Sequence, residues 1–368
     1  MNSGRDGITA LSRRNLLQLA GGAGFVAMTP RLARAQAGNI DVLVPNAILN
    51  APLRGILEKA IGAKVADAPF QSTTDSVSRL MSPGGTSRYD MMISQTEFSK
   101  TPILGSGEGK EKVLPLDLAK IPNLAKLSET FRPDVIARND KTYMIPIFWG
   151  FDAVVYNKDV IPETDELTKT WGMIFEDKYA GKIAWFDTAH QMLMAAGLYL
   201  GKKKPETMST AELKEVGDFL ISKKKNVRTI YTSFAQCTSL LASGEVACAY
   251  SPIPVRVDLE KSGKNVATAW CKEGVLSFST GAYIPKDAKK PAIALAAIDA
   301  MLAEDYASKL TAASGYLSCS TAGTAALSKE EALRLGYGIL EGATAHYPLR
   351  FPPNISQWVE VWARVKSA

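Results

Sequence analysis

Residues 143–161 read YMIPIFWGFDAVVYNKDVI. Two strand-like apolar runs flank Trp149-Gly150-Phe151-Asp152, so a polar residue and a glycine interrupt an otherwise buried pattern. This predicts an extended connection that crosses from one packed unit to another. Upstream, NIDVLVP (39–45), KVADAPF (64–70) and RYDMMIS (88–94) read as strands. LRGILEKAIG and the polar-capped STTDSVSRLM read as helices between them. Such a βαβαβ rhythm predicts a largely parallel sheet covered by helices. The fold class is therefore α/β, and 368 residues are enough for two domains or for one large two-lobed unit.

Downstream the rhythm resumes. MSTAELKEVGDFLISKK begins with Ser209-x-x-Glu212, a capping box. Ser233-x-x-Gln236 repeats the device before a helix ending near Gly244. VLSFSTGAYIP (275–285) is a strand; KPAIALAAIDAML, EDYASKLTAASGY and the amphipathic ISQWVEVWARV are helices. Polar residues thus recur where a strand ends and a helix begins. In open α/β sheets ligands collect there, outside the carboxyl ends of strands, facing free helix N–H groups.

The N-terminus is read as an address label. SRRNLL (12–17), a glycine-softened apolar run and an Ala35-Gln36-Ala37 cleavage site together predict a twin-arginine export signal over residues 1–37. The run is too short for the roughly 20 residues that span a bilayer. This segment carries five Arg and one Asp, so its removal lowers the formal charge from +6 to +2. Little basic character remains to call for a nucleic-acid or membrane-surface partner, and KKK at 202–204 and 223–225 read as solvated helix faces.

AWFDTAHQML (184–193) places Asp187 three residues before His190, one of only two histidines. A metal site needs more ligands than this pair and His346 provide. Thr188-x-x-Gln191 is itself a capping box, which would leave Asp187 free to face a cavity. No G-x-S-x-G, H-E-x-x-H or complete phosphate loop occurs; GSGEGKEK (105–112) lacks the Ser or Thr after its lysine. Neither an enzyme nor a cofactor is expected. The cysteines Cys237, Cys248, Cys271 and Cys319 include no C-x-x-C pair. Export permits a disulfide among them, yet Cys248 and Cys271 read equally as small buried apolar residues.

MIPIFWGFDAVVYNKDVIP, TWGMIFEDKYAGKIAWFD, LLASGEVACAYS, KEGVLSFSTGAYIPKDAKKP and the later AASGY, in that order, carry a resemblance across nearly the whole chain after residue 37. The sequence resembles the solute-binding proteins of ABC importers, in the branch similar to spermidine/putrescine-binding proteins. The resemblance implies two α/β lobes joined by crossing hinge strands, with the ligand in the cleft between them. It implies a discontinuous first lobe (38–148 with about 283–330), a second lobe (149–282) and a C-terminal helical segment (331–368). It also implies a periplasmic, monomeric protein that delivers a small solute to an inner-membrane permease complex and makes or breaks no bond.

The same resemblance assigns candidate ligand contacts. Asp187 matches a family acid, and His190 stands where a second acid is expected. Tyr250 and Trp149 match aromatic positions, while Thr280, beyond Phe278, replaces a carboxylate. Gln95 and Glu97 fall at a family Ser and Tyr, and Pro45 and Ile48 replace aromatics. From their own contexts, Asp152 follows Trp149 in the crossing segment and Asn46 starts the turn after the first strand. With two family acids missing, a smaller amine or a zwitterion is expected instead of a long polyamine gripped at both ends. An anionic solute, or an exported enzyme on the same scaffold, are the alternatives.

Overall fold

The structure, a computed structural model, describes residues 37–368 except 326, 340, 341, 343 and 351. The export signal read at 1–37 lies outside the described residues but for Ala37, which opens the first strand. Residues 38–368 pack as one compact unit.

The N-terminal rhythm is the predicted one. Strand β1 (Ala37–Leu43) leads to α1 (Ala51–Ile61), β2 (Ala63–Asp67), α2 (Thr73–Met81), β3 (Met91–Gln95) and α3 (Thr96–Leu104). Ser72 caps α2 by accepting the Asp75 N–H, and Gly62 ends α1 in the left-handed region. After the short β4 (Ile136–Arg138), the opening stretch forms one continuous 17-residue strand, β5 (Lys141–Asn157). Gly150 and Asp152 do not break it, because both lie in a fully buried run with ladder partners on β10 (Val275–Tyr283).

Between β5 and β10 come β6 (Ile183–Phe186), α4 (Ala189–Tyr199), α5 (Thr210–Lys223), β7 (Val227–Tyr231), α6 (Phe234–Ser243), β8 (Cys248–Pro252), α7 (Ile253–Lys261) and β9 (Val266–Ala269). The main sheet runs β2-β1-β3-β10-β5-β8-β6-β7. The β1–β3, β6–β7 and β6–β8 pairs are parallel, as the alternation of strands and helices requires. At the centre β5 and β10 run antiparallel and join the two halves. One side of β10 holds Gln95 of β3 opposite Thr280, and the other holds Phe148 of β5. This is the two-lobed α/β architecture joined by crossing strands.

Two large apolar cores flank these central strands. One gathers Ile40, Val42, Met91 and Ile93 with α8 (Pro291–Leu302) and α9 (Glu304–Ser314). Its chain segments are tied by Asp90, buried at 2% exposure, which accepts the backbone N–H groups of Asp41, Lys289 and Lys290. The other core gathers Trp171, Trp185 and Met192 with Trp358 and Trp362 of the C-terminal helix. That helix follows β11 (Leu317–Ser318), α10 (Lys329–Leu335) and β12 (His346–Pro348), and is labelled α11 (Ile355–Ser367). It packs on α4 and α5, so the last residues of the chain complete the second half of the protein. All four cysteines are buried and reduced.

Candidate functional site

Strands β1, β3, β6 and β8 all deliver their carboxyl ends to one cavity of about 160 Å³. Its wall includes Pro45, Gln95, Thr188, Pro252, Phe278 and Thr280, with helix starts at Ser72–Thr73, His190–Gln191 and Phe234. Phe70, Phe98, Phe148, Phe186 and Tyr316 add aromatic surface. Among the described lining residues no Lys or Arg appears, and Asp152 is the single carboxylate.

Asp152 is 2% exposed and is held by neutral donors. The Tyr250 hydroxyl donates to its Oδ2 at 2.6 Å, and Gln191 Nε2 donates to the same oxygen at 3.1 Å. Desolvation nevertheless dominates and raises its pKa from the ordinary 3.8 to about 6; the two hydrogen bonds oppose that rise. Tyr250 is fully buried behind the carboxylate and does not line the cavity. Its hydroxyl fixes the direction of the Asp152 carboxylate.

His190 lines the cavity with its ring 4.8 Å from that of Phe98. The contact joins α4 of the second half to α3 of the first. Nε2 is sealed without a hydrogen-bond partner, and desolvation pushes the imidazole pKa down to about 4, so the ring is neutral at physiological pH. Thr280 is buried at the wall, directly opposite Gln95 in the ladder, and Gln95 also lines the cavity.

Two further candidates, Asp187 and Asn46, fall elsewhere. Asp187 is absent from the cavity wall: its Oδ1 accepts the Trp362 indole N–H at 2.8 Å, and Lys366 Nζ lies 2.8 Å from the same oxygen. It clasps the C-terminal helix. The expected Thr188 cap is missing too, since Thr188 is the N-cap residue of α4 without a side-chain bond and Gln191 turns to Asp152 instead. Asn46 is exposed on a short 3-10 turn, and its neighbour Pro45 reaches the cavity in its place.

Trp149 and Glu97 line a second cavity of about 170 Å³. The alternation of a strand explains the split. Phe148 and Asp152 project to one face of β5 and Trp149 to the other, just as Ser277 and Ser279 of β10 oppose Phe278 and Thr280. Gln95 and Phe278 border both cavities. The aromatic residues Phe70, Phe98, Phe148, Phe186, Phe234 and Tyr316 were not singled out from the sequence. Four of them follow strand ends or open helices, the context already identified, and that placement was the available signal.

The crossing strands and the cavity at the strand ends define a solute-binding protein of the two-lobed kind. The model of the family "Bacterial extracellular solute-binding protein" matches residues 62–332, and the chain belongs to that family. A curated relative, the putrescine-binding periplasmic protein SpuD of Pseudomonas aeruginosa (strain UCBPP-PA14), is 25% identical over 329 residues, covering 84% of this chain and 86% of its own. Among solved structures, a putative spermidine/putrescine ABC transporter protein from Listeria monocytogenes superposes with a TM-score of 0.74 at 21% identity, covering 89% of this chain and 98% of that one. The binding protein AgtB of A. tumefaciens R10, in complex with agropinic acid, does so with a TM-score of 0.66 at 18% identity, covering 90% and 96%. By membership of that family the chain is a solute-binding protein. Its relatives are extracellular or periplasmic, and among the described residues no helix is long and apolar enough to cross a membrane.

Proposed function

We propose that this protein captures a small amine-bearing solute in the Asp152 cavity, and that the solute is a monoamine or a zwitterion. Asp152 carries the reading. A buried carboxylate is costly unless it is paired, and here only neutral groups contact it while no cation lines the cavity among the described residues. A ligand ammonium supplies the missing charge. The amino end of α4, whose N-cap Thr188 gives no side-chain bond, offers backbone N–H groups to an acceptor or carboxylate at the other end.

Capture would proceed by hinge closure about β5 and β10, with ligand contacts to both halves favouring the closed state. The Phe98–His190 contact is the kind of bridge such closure makes. Delivery to an inner-membrane permease, and export by the twin-arginine route, belong to the same proposal. The polyamine ligands named for relatives support the amine, and the single carboxylate argues for one charged nitrogen in the cavity instead of two.

A thermal-shift panel of amines, amino acids, aminophosphonates and dicarboxylates tests this reading. Saturable stabilisation by one amine-bearing class, with the ligand recovered unchanged, is expected. Stabilisation by dianions alone would overturn it.

A further inference from the structure

We infer that the Asp152 cavity selects methylated ammonium groups, tertiary or quaternary, over primary ones. This rests on the amine reading above and narrows it to a substrate class.

Two features of the cavity lead there. The first is its wall, where seven of nineteen lining residues are Phe or Tyr, enough to surround a cation with ring surface. Phe148 and Tyr316 have ring centroids 4.6 Å apart, and Phe278 stands nearly perpendicular to Tyr316 at 6.2 Å. Phe186 and Phe234, 5.4 Å apart, come from the opposite half of the protein. Ring faces attract a cation through their quadrupole, and a methylated nitrogen presents its charge to them as apolar surface.

The second feature is the state of the polar groups. A primary ammonium brings three N–H donors, each needing an acceptor once water is excluded. Asp152 Oδ2 already accepts from both Tyr250 and Gln191, so for three N–H donors the carboxylate offers chiefly its other oxygen, Oδ1. Ser72 Oγ accepts the Asp75 N–H, and Thr73 Oγ1 accepts the Gln95 N–H. A quaternary ammonium asks for none of these bonds. It requires one negative charge nearby and ring carbon around it, and the cavity holds one carboxylate within an aromatic wall. A second ammonium on the same molecule would find no further carboxylate among the described lining residues.

Isothermal titration of the purified protein with matched pairs tests the assignment: choline against ethanolamine, glycine betaine against glycine, and putrescine as the diamine. In whichever pair binds, the methylated member is expected to bind at least tenfold tighter than its unmethylated partner, and tighter than putrescine. Phe278→Leu and Phe186→Leu are expected to erode that ratio. Equal or tighter binding of ethanolamine or glycine would overturn methyl selection while leaving the amine reading standing; equal or tighter binding of putrescine would overturn methyl selection together with the restriction to one charged nitrogen. No binding by any of the five, nor by any amine of the wider panel, would overturn both.

Discussion

The Tyr250 hydroxyl donates to Asp152 Oδ2 at 2.6 Å, diagonally across the ladder of β5 and β8. In the register Tyr250 sits opposite Val154, two residues from Asp152, so both side chains project to the same face. The consequence is a buried carboxylate fixed in direction by neutral donors and left with its charge unanswered.

The unanswered charge costs stability in the ligand-free protein. Because the folded carboxyl has a pKa near 6 against an ordinary 3.8, the folded state holds its proton more tightly than the unfolded state does. Stability from this group therefore falls as pH rises from about 4 through 6. Asp152→Asn removes that penalty. By calorimetry, the variant is expected to melt at or above the wild-type temperature at pH 7.5, with the difference shrinking toward pH 4.5. A loss of several degrees at pH 7.5 would contradict the account.

His190 has the opposite slope. Its folded pKa, near 4, lies below the ordinary 6.5, so the unfolded state takes up the proton first and stability falls as pH drops through that window. In wild type the two groups offset each other between pH 4 and 6. Stability of His190→Gln is expected to decline with rising pH there, and that of Asp152→Asn to increase. Denaturant midpoints at several pH values measure both slopes; parallel slopes in the two variants would contradict the assignment.

Asp187 is predicted to matter for stability and not for binding. Asp187→Ala removes the acceptor of the Trp362 indole and the partner of Lys366, on a surface where such contacts contribute about 1 kcal/mol. Urea denaturation is expected to show a loss of that order, with ligand affinity changed less than twofold. A tenfold loss of affinity with unchanged stability would return Asp187 to the cleft.

Gly150 makes room for Phe278. A Cβ there would lie 2.8 Å from Phe278 Cζ, so Gly150→Ala pushes the ring toward the cavity. The far end of a side chain can yield, and the expected cost in stability is about 1 kcal/mol, the low end for overpacking. Affinity for the ligand is expected to fall about tenfold, as about 1.4 kcal/mol of lost contact implies. Calorimetric titration measures it; unchanged affinity would remove Phe278 from the binding wall.

Local pattern made the fold legible. Strands predicted at 39–45, 64–70 and 88–94 lie within three residues of those observed, and the Ser209–Glu212 capping box is complete. Ser233 caps α6 as read, although Gln236 reaches back to the Thr232 N–H instead of the Ser233 N–H. The candidate cavity was legible where chain position alone fixes its lining, as for Gln95, Asp152, His190 and Thr280 at strand ends and crossings. It was illegible where a distant segment decides. Asp187 meets Trp362 and Lys366, which lie 175 and 179 residues further along, and no local signal announces that pairing. Trp149 lines the other cavity because one residue along a strand changes the face it projects from.

The central claim is that a ligand cation answers the charge of Asp152, and proton release on binding tests it most directly. Near pH 6 about half of the Asp152 carboxyls carry a proton, and a bound ammonium would drive that proton off. Titration calorimetry with the tightest-binding amine, run in two buffers of different ionisation enthalpy, should give release of about half a proton per ligand at pH 6. Release should approach zero at pH 8, and Asp152→Asn should abolish both the release and most of the affinity. Binding without proton release at pH 6, or undiminished affinity in Asp152→Asn, would contradict the account.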